Sequence, residues 1–126
     1  MAHYAIHVPI DKDMRFYQKY INKGLQPKDA AYAALIEGMD KSLGDIMHYL
    51  KKEGVADNTI IVFISDNGGL SIEGNRSQPA HTQNFPLKAG KGSVYEGGIR
   101  VPMIIKWSKI VQPGITIQQP SIIEDL

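Results

Sequence analysis

The chain has no cysteine, which removes disulfides, thiolate metal sites and cysteine nucleophiles together. Charge of one sign is also scarce. Fourteen Lys and Arg against thirteen Asp and Glu leave a net charge of +1. No strong field therefore favours nucleic acid or an anionic membrane, and neither is expected as a partner. No apolar run approaches the length of a bilayer span. The opening Met1-Ala2-His3-Tyr4-Ala5-Ile6-His7 lacks a basic region followed by an apolar one, so it does not read as a signal peptide. In a longer protein such a signal would lie upstream.

What is present is ordinary for one folded domain: 126 residues, 43% apolar and 21% charged. Tyr4 to Val8 reads as a short strand that Pro9 limits, because proline cannot donate to a ladder. Residues 11–26 are mixed and polar, with a weak helical pattern in Met14, Phe16, Tyr17, Tyr20 and Ile21.

The clearest element is a helix from about Pro27 to Glu53. Pro27 suits a first helical position, and Tyr32, Leu35, Ile36, Met39, Leu43, Ile46, Met47 and Leu50 recur at spacings of three and four. Gly54 suits the position just past the end. Gly38 and Gly44 inside the helix predict close packing against a neighbour. After an Asp57-Asn58 turn, Thr59 to Ser65 is β-branched and apolar on both faces, which predicts a buried, parallel strand. Helix then buried strand implies half of a βαβ unit and hence an α/β sheet. A loop rich in Gly, Ser, Asn and Pro runs to about Gly98. A second strand follows over Val101 to Trp107, Pro113-Gly114 makes a turn, and Ser121 to Leu126 reads as the start of a further element.

Chemistry concentrates in the loop. Asp66 and Asn67 stand at the carboxyl end of the first strong strand, where open α/β sheets place their ligands. A carboxylate beside an amide suits a hard cation such as calcium or magnesium. By itself, Asp-Asn-Gly-Gly is equally good turn chemistry. Lys88 to Arg100 mixes glycines, which let backbone approach a ligand, with Lys91, a point charge for an anion. It matches neither the phosphate loop nor a dinucleotide fingerprint, and its composition alone describes a flexible surface loop. His3 and His7 flank the first segment, His48 falls on the outer face of the helix, and His81 lies in the loop. A single histidine is more often structural than functional.

Four blocks, however, occur together. Ser65-Asp66-Asn67-Gly68-Gly69 after an apolar strand resembles the metal-ligand motif of type I sulfatases. Gly90-Lys91-Gly92 with Tyr95 to Pro102 resembles the block that follows it in that family. His3 to Pro9 resembles the histidine-bearing segment upstream. Tyr32-Ala33-Ala34 with Met39 to Gly44 resembles the helix between them. Their order and spacing are family-like from about residue 3 to residue 114.

The resemblance implies one partial catalytic domain over 1–126, corresponding to the C-terminal half. It implies part of an alkaline-phosphatase-like sheet flanked by helices, incomplete. Asp66 and Asn67 would ligate calcium or magnesium. Lys91 would bind the sulfate of a sulfate ester, and His7 would bind the sulfate or protonate the leaving oxygen. Glu96, Arg100 and Asp40 would be structural supports. Members of the family are often periplasmic or secreted.

This chain departs from the pattern in two ways. The formylglycine nucleophile comes from C-x-P-x-R or S-x-P-x-R, and the nearest match, Ser77-Gln78-Pro79-Ala80-His81, lacks the arginine. The aspartate pair that completes the metal site is missing, since no Asp-Asp occurs. The sequence therefore predicts binding groups without a nucleophile, and no turnover by these 126 residues alone. Two other readings stay open: a phosphoryl-ester hydrolase of the same superfamily, and a non-catalytic interaction domain that self-associates through exposed apolar area and open sheet edges.

Overall fold

A computed structural model describes residues 1–71 and 83–125. In chain order the elements are α1 (Tyr17–Asn22), α2 (Pro27–Lys52), a 3₁₀ turn at Ala56–Asn58, β1 (Ile60–Ile64), a single helical turn α3 (Glu96–Ile99), β2 (Met103–Trp107) and a 3₁₀ turn at Ile123–Asp125.

Helix α2 starts and stops as its residues dictate. Gln26 is extended and Pro27 takes the first turn, where its missing N–H is no loss. Asp29 near the start and Lys51 and Lys52 near the end oppose the helix dipole. At the far end Gly54 adopts φ +71°, its N–H donates to Lys51 O, and Val55 N–H donates to Leu50 O. That pair of bonds is a Schellman cap, which needs a residue free to turn left-handed. Helix α1 folds back along α2. Lys19 Nζ reaches both carboxylate oxygens of Glu37, at 2.6 and 2.8 Å. The Lys19 ammonium, then the Tyr20 hydroxyl, hold the Glu37 carboxyl below its usual range. The buried apolar side chains among the described residues are Ala30, Ala31 and Ala34, all in the early turns of α2.

Strands β1 and β2 form a two-stranded antiparallel sheet, with Ile60 opposite Trp107 and Ile64 opposite Met103. This corrects the parallel, buried strand that the sequence predicts. An apolar, β-branched run records a preference for extended backbone and for burial, but not the direction of its neighbour. Here the neighbour is β2, which returns after the long loop. Alternate residues of β1 differ in exposure. Ile60, Val62 and Ile64 are exposed, whereas Ile61 and Phe63 are half-buried and share a cavity of about 310 Å³ with Ile36, Met39, Leu43 and Met47 of α2. The sheet and helix thus face one another across an incompletely filled space.

Two other expectations change. Tyr4 to Val8 is a turn and not a strand. His7 N–H donates to Tyr4 O at 3.2 Å, Ile6 stands at φ +61°, and the Val8–Pro9 peptide is cis. Close packing holds at only one of the two helical glycines. A Cβ on Gly38 would come within 2.5 Å of Asp13 Oδ2, but one on Gly44 would meet nothing within 4 Å.

The accessible surface is 9943 Å², against about 6,700 Å² for a compact 14.0 kDa domain. Strand β2 is exposed along its length, alternate residues of β1 are exposed, and most of the apolar stripe of α2 is only half-buried.

Gly44 pays backbone entropy in an exposed helical position with room for a methyl group. Gly44→Ala is expected to stabilise the chain by about 0.5–1 kcal/mol. Urea unfolding checks this, and an unchanged or lower midpoint would contradict the open space at that position.

Candidate functional site

The site begins where β1 ends. Ser65 Oγ donates to Asn67 O at 2.9 Å and tightens the turn, so Asp66 and Asn67 leave the strand together. Asn67 Nδ2 donates to Gly68 O at 3.0 Å, which leaves its Oδ1 as the acceptor end of the amide. Asp66 is exposed, and among the described residues its carboxylate takes part in no hydrogen bond or ion pair. Two oxygen donors therefore stand side by side at a strand end, unengaged among the described residues.

The next part of the site is built from backbone. Gly68 N–H donates to Gly98 O at 2.9 Å, and Lys91 N–H donates to Gly69 O at 2.9 Å. Gly97 N–H donates to Lys88 O at 2.8 Å. These bonds require main chains to lie almost in contact. A Cβ on Gly68 would strike Gly97 O, one on Gly97 would strike the carbonyls of Ala89 and Lys88, and one on Gly90 would strike Gly69 O. Only glycine allows that approach. Gly68, Gly90, Gly97 and Gly98 are accordingly buried, although none has a side chain to bury.

This framework carries Lys91 to His7. Lys91 Nζ lies 2.9 Å from His7 Nε2, a contact between residues 84 positions apart in the chain. His7 Nδ1 lies 2.7 Å from Val8 O. A carbonyl can only accept, so Nδ1 carries the ring proton and Nε2 offers its lone pair to the lysine. The ammonium keeps its other two N–H donors for an anion. Lys91 is half-buried, and His7 is exposed. Residues on each side of the contact adopt unusual backbone: Ile6 at φ +61° precedes His7, and Ala89 at φ +60° precedes Gly90 and Lys91. Such strain persists only where surrounding bonds impose it.

The other singled-out residues fall outside this contact. His3 Nε2 sits 3.2 Å from Ser42 Oγ, and His48 is exposed on α2. Arg100 Nη1 pairs with Glu96 Oε2 at 3.1 Å, one helical turn apart, with both side chains 63% exposed. Asp40 borders the cavity between α2 and the sheet. His81 and the Ser77 to His81 segment lie outside the described residues. Among the described residues no group of three His, Cys, Asp or Glu side chains could hold a metal by itself.

The sequence did not single out Asn84. Its side chain accepts from Gly69 N–H at 3.2 Å and donates to Gly69 O at 2.8 Å and Ala89 O at 3.1 Å. An asparagine before Phe85-Pro86 in a polar loop looks like turn chemistry, and no local signal sets it apart.

Gly97→Ala is expected to cost about 1–3 kcal/mol, because the new methyl group has backbone carbonyls and no movable side chain in its way. A urea midpoint equal to that of the wild type would show that these segments are not packed backbone to backbone.

Comparison with known proteins bears on the family and the fold. The Sulfatase family profile matches residues 2–126. A sulfatase of Formosa agariphila is 36% identical over 122 residues, covering 88% of this chain and 21% of that protein. The uncharacterized sulfatase YdeN of Escherichia coli K12 is 38% identical over 115 residues, covering 90% of this chain and 19% of that protein. Among solved structures, Ps i-CgsB superposes with a TM-score of 0.71 at 39% identity, covering 86% of this chain and 22% of that one. The chain thus spans about a fifth of the length of the relatives it matches. The sulfatase motifs, their spacing and this shared fold agree, and the chain belongs to the sulfatase family.

Proposed function

We propose that this chain supplies the metal- and sulfate-binding groups of a sulfuric ester hydrolase. Lys91 and His7 bind the sulfate, and Asp66 and Asn67 provide oxygen ligands for calcium or magnesium. The observation that carries the reading is the 2.9 Å contact between Lys91 Nζ and His7 Nε2. It joins a cation and a proton-carrying ring at the end of a frame that also holds the Asp66-Asn67 turn.

The chemistry follows from the donors. Hydrolysis of a sulfate ester spreads negative charge over the sulfate and leaving oxygens as the bond breaks. Lys91 offers two N–H groups to those oxygens while its third stays on His7. With Nδ1 committed to Val8 O, proton exchange at His7 is confined to Nε2, the atom facing Lys91. While Lys91 donates to it, Nε2 carries no proton, so general acid catalysis by His7 requires that contact to open and Nε2 to take up a proton before the alcohol departs.

Asp66 and Asn67 fit a hard cation in kind, being a carboxylate unengaged among the described residues and an amide oxygen. They are two ligands where calcium takes about six to eight, so they form part of a shell. A divalent cation in that shell supplies positive charge at the sulfate oxygens. The nucleophile is not encoded in this chain, because there is no cysteine and Ser77 to His81 lacks the arginine of the formylglycine motif.

The 126-residue chain is therefore expected to bind sulfate without hydrolysing an aryl sulfate. Nuclear magnetic resonance titration with sodium sulfate, against sodium chloride at matched ionic strength, should shift the Lys91 and His7 side-chain signals. Lys91→Ala should weaken that response about tenfold, the loss of one charged hydrogen-bond donor. Saturable aryl sulfate turnover would defeat the proposed division between binding groups and nucleophile, and sub-micromolar calcium binding by calorimetry would defeat the reading of Asp66 and Asn67 as part of a shell.

A second property follows from the open sheet. Ile60 is 50% exposed and Ile104 62% exposed, on a sheet of two strands whose outer edges are unpaired among the described residues. Apolar area and free strand edges of this kind favour self-association. Light scattering should show species larger than a monomer that grow with concentration. A clean monomer at high concentration would contradict self-association.

A further inference from the structure

We infer that Asn84 is a positioning residue: its side-chain amide locks the turn that follows Asp66 and Asn67 to the loop that delivers Lys91 to His7. The inference rests on the reading of those four residues as one sulfate- and metal-binding site. Nothing in the order of the chain suggests it, because Asn84 lies 15 positions from the glycine that it grips.

The geometry is that of a peptide imitated by a side chain. Asn84 Oδ1 accepts from Gly69 N–H, and Asn84 Nδ2 donates to Gly69 O, so both polar groups of one residue are held by one amide. The second Nδ2 proton goes to Ala89 O at 3.1 Å. Gly69 O also accepts from Lys91 N–H at 2.9 Å, so both of its lone pairs are used. Asn84 therefore bridges the residue three past Asp66 and the residue two before Lys91. Its third bond falls on Ala89, which stands at φ +60°, where an L-residue is held only by its surroundings. Gly90 makes the approach feasible, since a Cβ there would lie 2.8 Å from Asn84 Nδ2.

The side-chain type follows from this pattern. An aspartate keeps the acceptor for Gly69 N–H but sets a carboxylate oxygen against the carbonyls of Gly69 and Ala89. An alanine leaves all three backbone groups without their partner. A half-buried carbonyl or N–H left unsatisfied destabilises the arrangement that orphaned it. The lowest-cost response is for Ala89 to relax out of the left-handed region, which rotates Gly90 and carries Lys91 away from His7.

The test uses the 126-residue chain, with Asn84→Ala and Asn84→Asp made separately. Two signals are read by nuclear magnetic resonance: the ring nitrogens of His7, and the shift of the Lys91 and His7 signals as sodium sulfate is added. In both variants the His7 Nε2 signal should move to its value in Lys91→Ala, and the sulfate response should weaken about tenfold. Amide signals of α2, β1 and β2 should stay in place. A wild-type His7 signal in either folded variant overturns the inference. Loss of the β1–β2 signals in both variants also overturns it, by making Asn84 a determinant of folding. If wild-type protein gives no sulfate response, the sulfate-site reading fails, yet the His7 signal still decides the role of Asn84.

Discussion

The close approach of backbone to backbone around Gly68, Gly69, Gly90, Gly97 and Gly98 is the constraint on which the candidate site depends. Without side chains at these positions, Gly68 N–H can reach Gly98 O and Lys91 N–H can reach Gly69 O. A methyl group at Gly68, Gly90, Gly97 or Gly98 would overlap a carbonyl oxygen within the same cluster. The glycines cost conformational entropy in the unfolded chain. They return it as short hydrogen bonds between segments that would otherwise be held apart by a layer of side chains. The turn bearing Asp66 and Asn67 and the loop bearing Lys91 thereby become one piece, which α3 then joins to β2.

The electrostatics are spare. Lys91 and His7 meet at 2.9 Å, with the ring tautomer set by Val8 O. Asp66 and Asn67 present oxygens that the described residues leave unengaged. Among the described residues, ion pairs elsewhere join Lys19 to the half-buried Glu37 and the exposed Lys109 to the exposed Asp57, and serve local packing. Of the groups proposed for binding, Asp66, Asn67 and Lys91 lie in the loop between the strands, and His7 comes to them from the first segment. The cation–π contact of Lys88 over Tyr95, at 3.9 Å, adds rigidity to that same loop.

The hydrophobic side of the molecule is correspondingly thin. Three alanines are buried among the described residues, whereas Ile60, Ile104 and many other large apolar side chains face solvent. Helix α2 turns an apolar stripe toward the sheet without closing on it, leaving the cavity bordered by Met39, Leu43, Ile61 and Phe63. Local bonds, caps and the glycine cluster hold the described structure together more than a filled core does.

Much of this was legible along the chain. The limits of α2 were set by Pro27 and Gly54 and its stripe by spacing, because helices are stabilised by residues three and four apart. Asp66, Asn67, Lys91 and His7 stood out through motifs, since each lies within a few residues of its own signature. The strand at Ile60–Ile64 was readable as extended and apolar. Its antiparallel partner was not, because pairing direction depends on where a distant segment returns. The first segment read as a strand and folds as a turn, because the left-handed Ile6 and the contact of His7 with Lys91 override its local preference. Asn84 carried no signal at all. By itself, then, the sequence determined the helix, the strands and the kinds of chemistry available, all of which rest on neighbouring residues. The tertiary structure alone decided that His7 meets Lys91 and that Asn84 grips Gly69. Those contacts join residues 84 and 15 positions apart, and only the folded backbone brings them within hydrogen-bonding distance.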